Sequence, residues 1–374
     1  MVRREHVPDV ATVLRLCEDA VFRALGLKLT FVEKGMAGFL PNIEAKEAAD
    51  RNLVFPPDKL EVLDTEYMSY QLGSYALKKR YLETFVAKAM RPDPLYIWTE
   101  QKRETDEYGF TVKRFVSINY DRARLSKALE HVRGGSGGSF TAEWFKDPSI
   151  RVYSRVDFIP YNGTFDPTQG RSAGRVFNLF QGYNPLIRTP LPEDTSSRAK
   201  MLQPFFDLGK QLFEDNESLF RFFLKCIAAK VQFPQQKIGL CFLLTGLQGT
   251  GKTLFMDCVG RVFGDSHYYS TTNPDDLFGT HAEGFVGKLL VVMNECEGKD
   301  TMFIGGKLKG AVTDVWMTVN GKNVRPVRMK NLAFCVVVSN KTNPIQVDVK
   351  TGDRRFLMAK STGAYLKKSD YFWR

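Results

Sequence analysis

Apolar positions in the second half of the chain fall into three short unbroken runs, each ending on polar residues. Ile238-Gly239-Leu240-Cys241-Phe242-Leu243-Leu244 leads into a glycine-rich stretch, Leu289-Leu290-Val291-Val292-Met293 ends in Asn294-Glu295, and Leu332-Ala333-Phe334-Cys335-Val336-Val337-Val338 ends in Ser339-Asn340. Short apolar runs without alternation predict strands buried on both faces, as in a parallel sheet covered by helices. After the first run, Leu254, Phe255, Cys258, Val259, Val262 and Phe263 recur at helical spacing, and Gly264 is a natural stop. A further helix over Phe220 to Pro234 leads into the first strand.

The first half is patterned differently. Val10, Val13, Leu14, Cys17, Val21 and Leu25 line one face of a predicted helix between Pro8 and Gly26. Residues 64 to 90 read as helical, with Lys78-Lys79-Arg80 as either a solvated face, the commoner case for such a run, or a DNA-facing patch. Aromatic and β-branched residues from Leu95 to Ile118 predict a hairpin around Asp106-Glu107-Tyr108-Gly109, then a helix over 121 to 132. Asp147 to Tyr161 reads as strands. Gly134-Gly135-Ser136-Gly137-Gly138-Ser139 is a flexible linker by composition and the best internal break.

The glycine-rich stretch carries the chemistry. Gly246-Leu247-Gln248-Gly249-Thr250-Gly251-Lys252-Thr253 is a complete G-x-x-x-x-G-K-[ST] loop placed between a predicted strand and a predicted helix. In that order the glycines let successive N–H groups converge on one point, and with the helix N-terminus they hold nucleotide phosphates. Lys252 then reaches the outer phosphates and Thr253 offers its hydroxyl to Mg²⁺. All eight residues are assigned to nucleotide binding. Asn294-Glu295 has the form of a Walker B ending, with Glu295 placed to orient and polarise the attacking water. Asn294 replaces the usual acid; it accepts a hydrogen bond from a Mg²⁺-bound water but adds no negative charge. Asn340, ending the third run, is placed to touch the γ-phosphate and the water.

These ordered motifs resemble the superfamily 3 helicases of viruses, phages and plasmids, and within them the helicase part of phage and large-virus primase-helicases. The resemblance covers roughly residues 170 to 360 and includes Val176-Phe177-Asn178-Leu179-Phe180-Gln181-Gly182-Tyr183, a basic hairpin segment and Gly352-Asp353-Arg354-Arg355-Phe356. It implies an α/β fold whose core is a P-loop NTPase of AAA+-like type. It also implies a ring, usually of six subunits, that hydrolyses ATP with Mg²⁺ at subunit interfaces and translocates on single-stranded DNA. A hairpin projecting into the central channel is implied too. Asn320-Gly321 is the turn signal for it, between Val315–Val319 and Lys322–Arg325, because a type I′ turn needs φ > 0 at both central positions. Lys309, Lys322, Asn323 and Lys330 become the DNA contacts. One of Arg354 and Arg355 becomes the arginine that reaches a neighbour's ATP, and the other an ion-pair partner. Lys252, Glu295, Asn340, Arg354 and Arg355 make up the catalytic set.

Composition adds limits. The chain has 374 residues, 43% hydrophobic and 25% charged, with a formal net charge of +11, which biases it toward polyanions. Six scattered cysteines without Cys-x-x-Cys spacing support neither a zinc site nor a disulfide framework. With no long apolar run or signal-peptide core, the expectation is a soluble intracellular protein of host cytoplasm or nucleus, or virus-associated. The expected organisation is a mixed α+β, mostly helical accessory region over 1–133, the linker at 134–139, a connecting segment over 140–200, and the ATPase over 201–374, truncated at its C-terminus. No acid motif pair suits primase chemistry, so a primase or polymerase module is expected elsewhere on the same or another chain. Two other classes compete: a DNA-binding loader ATPase that does not unwind, and a small-molecule P-loop kinase, which has no need of the Asn294-Glu295 and Ser339-Asn340 endings.

Overall fold

The computed structural model describes residues 63–91, 94–105, 111–134, 137–160, 176–180, 195–280, 283–295, 301–319, 327–342, 344–345 and 353–366. They fall into two compact mixed α/β units, 63–158 with 176–180 in one and 195–366 in the other. The helix expected over Val10 to Leu25 and the turn at Asp106–Gly109 lie outside the described residues.

The first unit begins with α1 (Thr65–Tyr70) and α2 (Tyr75–Phe85), capped by Asp64 and Ser74, whose side-chain oxygens accept from Tyr67 and Leu77 N–H groups. The chain then turns directly into β1 (Val86–Arg91), so the helix expected to reach residue 90 ends at 85. Val86, Ala87 and Ala89 are buried, and β1 lies in the middle of a sheet, so burial overrides the helix preference of alanine. The hairpin prediction holds as β2 (Leu95–Thr105) antiparallel to β3 (Thr111–Tyr120), followed by α3 (Arg122–Ala128). Next come α4 (Phe140–Trp144), β4 (Val152–Asp157) and β5 (Val176–Asn178), giving the sheet order β3-β2-β1-β4-β5 with β1, β4 and β5 parallel.

Two sequence expectations for this unit are corrected. The glycine-serine run does not separate domains. Arg133 bridges Ser139, Phe140 N–H donates to Val132 O at 3.2 Å, and Val132, Phe140 and Trp144 are buried in one core with Leu82, Phe85 and Leu125. The described part of the run, with Gly137 to Ser139 exposed, thus lies between flanks that pack in one core. Nor are the lysines of α2 a solvated face. Lys78 is buried, with its ammonium donating to the Ser69 and Arg133 carbonyls, and Lys79 pairs with Asp147 at 2.7 Å. Their long stems let cations tie down carbonyls and an acid from distant segments, which local pattern does not reveal.

The second unit opens with α5 (Thr195–Leu212) and α6 (Glu217–Gln232), the latter capped by Asn216. Its sheet contains β6 (Cys241–Thr245), β7 (Tyr268–Thr271), β8 (Leu290–Asn294), β11 (Phe334–Ser339) and β12 (Phe356–Lys360), in the order β12-β6-β11-β8-β7 with every pairing parallel. The three apolar runs are β6, β8 and β11, buried along their length as the pattern predicts. Helix α7 (Lys252–Phe263) follows the glycine loop, and α8 (Asp275–Phe278) and α9 (Thr301–Thr313) complete the unit.

Alternation along the strands divides this core in two. On one side Phe242 and Phe334 meet Phe213 and Phe223, with Phe205 and Phe255 stacked at 4.9 Å, so α5, α6 and α7 pack there through rings. On the other, Leu243, Val291, Met293 and Val337 meet Leu277, Phe285, Leu308 and Val312. Three layers result, and the loops at the strands' C-terminal ends share one end of the sheet.

The basic hairpin forms, but not in the expected register. β9 (Trp316–Val319) pairs antiparallel with β10 (Val327–Lys330), with Val319 opposite Val327. A two-residue turn at Asn320-Gly321 would have put Val319 opposite Lys322; residues 320–326 themselves lie outside the described residues. Pro326 explains the shift: it has no N–H for a ladder, so the second arm starts after it and places Met329 on the buried face.

Candidate nucleotide site

The site is built where β6, β8 and β11 end. β6 runs into Gly246, Gly249 and Gly251, all with positive φ (141°, 80° and 85°). At Gly246 a Cβ would meet Ser361 Cβ at 2.7 Å, so both backbone conformation and space require glycine. Gly251 is the N-cap of α7 and supplies no side-chain cap. The first N–H groups of a twelve-residue helix therefore face the loop without a capping side chain, and the helix dipole adds partial positive charge there. That combination suits phosphate.

Lys252 is folded into this loop. Its ammonium donates to Gly246 O (2.9 Å), Leu247 O (2.8 Å), Thr250 Oγ1 (3.2 Å) and Asn340 Oδ1 (3.1 Å), and the side chain is buried. Burial lowers its pKa below the usual lysine value, and the negative charge of Glu295 opposes that shift. The contact with Asn340 joins the end of β11 to the phosphate-type loop after β6, across adjacent strands. Thr253 is exposed on the first turn of α7.

β8 contributes the second polar ending. Asn294 is buried, its amide donates to Ser270 Oγ at 2.6 Å, and its buried Oδ1 has no partner among the described residues. An unsatisfied buried carbonyl oxygen costs on the order of 1–3 kcal/mol and marks a place where a donor fits. A metal-bound water is such a donor, so this oxygen and the Thr253 hydroxyl fit a nucleotide-bound Mg²⁺. Glu295 is exposed, has φ = 50°, and donates its N–H to Val338 O at 2.8 Å. Left-handed backbone at a non-glycine residue costs roughly 1–2 kcal/mol; here the bond to β11 holds it.

A second set of residues supports the loop, and sequence reading missed it. Gln211 of α5 is buried; its amide donates to Thr250 O at 2.9 Å, its Oε1 accepts from Ser361 Oγ at 2.8 Å, and its backbone carbonyl accepts from Thr362 N–H at 2.9 Å. Ser361 N–H in turn donates to Thr245 O at 2.8 Å. The signal was present: Gln211 stands among Phe205, Leu208 and Leu212 on the buried face of α5, where a polar residue needs a partner.

The arginines lie elsewhere. β12 runs parallel to β6 with Phe356 opposite Cys241 and Lys360 opposite Thr245, so Arg354 and Arg355 sit at the end of the sheet opposite the glycine loop. Five residues of strand separate the two ends by roughly 16 Å. Arg355 makes a two-pronged pair with Asp353, both contacts 2.8 Å, which holds the carboxyl of Asp353 at about 2. Arg354 is exposed, with no ion pair among the described residues. Lys309, expected on DNA, lies 3.6 Å from Asp353 in the same cluster. Lys330 is exposed on β10, while Lys322 and Asn323 lie outside the described residues. The structure thus brings together Lys252, Asn340, Asn294 and Glu295, and separates them from Arg354, Arg355 and Lys309.

Residues 244–355 match a family of unknown function (DUF5906). The chain is 30% identical over 203 residues to the DNA primase-polymerase of Nitratiruptor phage NrS-1, a match covering 52% of this chain and 27% of the phage protein. The chain therefore spans about a quarter of that relative's length. Its fold is similar to two apo structures of the NrS-1 C-terminal region. One has a TM-score of 0.51 at 21% identity, covering 74% of this chain and 57% of that one. The other has a TM-score of 0.52 at 21% identity, covering 75% and 60%. No helix among the described residues is long and apolar enough to cross a membrane.

Proposed function

We propose that the chain is the ATP-driven motor of a phage-type DNA replication protein, a ring-forming helicase of superfamily 3 type that translocates on single-stranded DNA. In this reading a primase or polymerase module is carried elsewhere on the same protein or on another chain. The observation that carries it is the convergence of Lys252, Asn340, Asn294 and Glu295 around the uncapped start of α7, at one end of a parallel sheet. The likeness to a phage DNA primase-polymerase supports the replication setting.

Each residue then has a task. The N–H groups of Gly246 to Thr253 hold phosphate oxygens, and Lys252 exchanges its loop carbonyls for the outer phosphates while keeping Asn340 within reach. Glu295 accepts a proton from, and orients, the attacking water. Mg²⁺ bound with ATP supplies charge neutralisation on the outer phosphates, and Thr253 Oγ1 and Asn294 Oδ1 are the groups fitted to hold it. Arg354 and Arg355 are too far from their own loop to serve it, so the arginine of the site comes from a neighbouring subunit. Arg354 is the better candidate, because Arg355 is already committed to Asp353.

ATP hydrolysis measured with and without oligo(dT), followed by displacement of an annealed strand, tests this reading. DNA-stimulated hydrolysis with displacement is expected, and Glu295→Gln should bind ATP while hydrolysing it orders of magnitude more slowly. Hydrolysis and DNA binding without displacement would favour the loader, and absence of nucleotide binding would end the proposal.

A further inference from the structure

Alternation along β9 and β10 gives the hairpin two unlike faces. Met317, Val319 and Met329 turn inward: Met317 packs on the core cluster around Leu308 and Val312, and Val319 and Met329 are buried. Trp316, Thr318, Arg328 and Lys330 share the other face, and all four are exposed. Trp316 keeps 47% of its surface open, whereas Trp98 and Trp144 are buried. The Arg328 guanidinium lies 4.9 Å from the indole centroid and the Lys330 ammonium 5.8 Å from it. The platform is firmly mounted, because Asn331 N–H donates to Val315 O and its side-chain amide to Ala311 O, both at 2.8 Å.

An indole serving only to pack would lose most of its surface to the core, and cations serving only solubility have no need of a ring. Here two cations lie over an indole that keeps 47% of its surface open, and none of Trp316, Thr318, Arg328 and Lys330 is an acid. The complementary ligand is a polyanion that itself presents flat apolar faces. We propose that Trp316, Arg328 and Lys330 form a base-stacking platform for single-stranded DNA, with a base on the open indole surface and flanking phosphates on the two cations. The proposal deepens the DNA-translocating reading above and rests on it. It adds stacking to a hairpin otherwise expected to contact DNA by charge alone.

Stacking and charge separate by salt dependence and by removing the bases. With fluorescence polarisation on labelled oligo(dT), Trp316→Ala should weaken binding roughly 5- to 150-fold. Its log–log salt slope should be unchanged, and Trp316→Phe should recover most of the affinity. Arg328→Ala with Lys330→Ala should instead flatten the slope by about 1.4, at about 0.7 per phosphate contact on a single strand. On an abasic strand of equal length, the wild type and Trp316→Ala should bind alike. If the alanine variant does not fold, Trp316→Leu against Trp316→Phe gives the same contrast between apolar bulk and aromatic face. Wild-type affinity of Trp316→Ala for oligo(dT), or an equal loss on the abasic strand, overturns the platform. A change in sedimentation mass with DNA binding intact assigns the face to contacts between copies instead. No binding of oligo(dT) by the wild-type chain would remove the DNA-translocating reading itself, and the platform with it.

Discussion

Gln211 offers the sharpest test of how the glycine loop is held. The residue is 2% exposed and bridges Thr250 O and Ser361 Oγ at 2.9 and 2.8 Å, so it ties α5 to the loop and to the segment after β12. Gln211→Met keeps the side chain's length but removes both polar atoms. Two hydrogen bonds of about 1 kcal/mol net are lost, and the Thr250 carbonyl is left without that donor in a buried setting, at roughly 1–3 kcal/mol. Ser361 Oγ keeps the Gly363 N–H at 3.2 Å, so its loss is partial. The expected destabilisation is about 2–4 kcal/mol, a sizeable part of the 5–15 kcal/mol typical of a domain. Urea unfolding measures it as a lower midpoint at unchanged slope. Since the loop geometry depends on the same bridge, ATP affinity measured by titration calorimetry should fall as well. A midpoint change worth less than about 0.5 kcal/mol, or a full stability loss with ATP affinity untouched, would refute the reasoning that Gln211 positions the loop.

Lys252→Ala should abolish hydrolysis and weaken ATP binding, since no other cation among the described residues reaches the loop carbonyls; retained turnover in a coupled ATPase assay would remove Lys252 from the site. Arg354→Ala should reduce hydrolysis sharply, roughly 10³-fold or more for an arginine supplied from a neighbour, whereas Arg355→Ala should act mainly through the Asp353 pair and lower stability. Mixing Arg354→Ala with Glu295→Gln should restore activity at interfaces that hold both intact groups, and mixed oligomers without recovery would end the shared-site idea. His267 is buried with its ring against Gly287 O at 2.8 Å, and burial lowers its pKa to about 4, against about 6.5 when unfolded. Below pH 6.5 the unfolded chain takes up a proton that the native state refuses, so stability should fall between about pH 6.5 and pH 4 by about 3 kcal/mol. His267→Asn should flatten that profile in urea unfolding followed across this range, and identical profiles would contradict it.

What the sequence determined by itself is the part dictated by short-range order. The apolar runs were strands because a chain buried on both faces must be apolar at every position, and β6, β8 and β11 are so buried. The glycine loop was legible because the strand–loop–helix order and the glycines' positive φ are local properties. Tertiary structure decided the rest. It set the strand order, in which β11 lies between β6 and β8 and so brings Asn340 to Lys252. It turned residues 86–91 into a central strand, and it drew both sides of the glycine-serine run into one core. The pairing of β12 with β6 put Arg354 and Arg355 at the far end of the sheet, and Asp353 distinguished one from the other. Gln211 met the loop 39 residues on, and Ser361 150 residues on. Periodicity reports which face of an element is buried. Which distant atoms satisfy a polar group on that face depends on how the elements pack, because hydrogen bonds act over about 3 Å and place no limit on sequence separation.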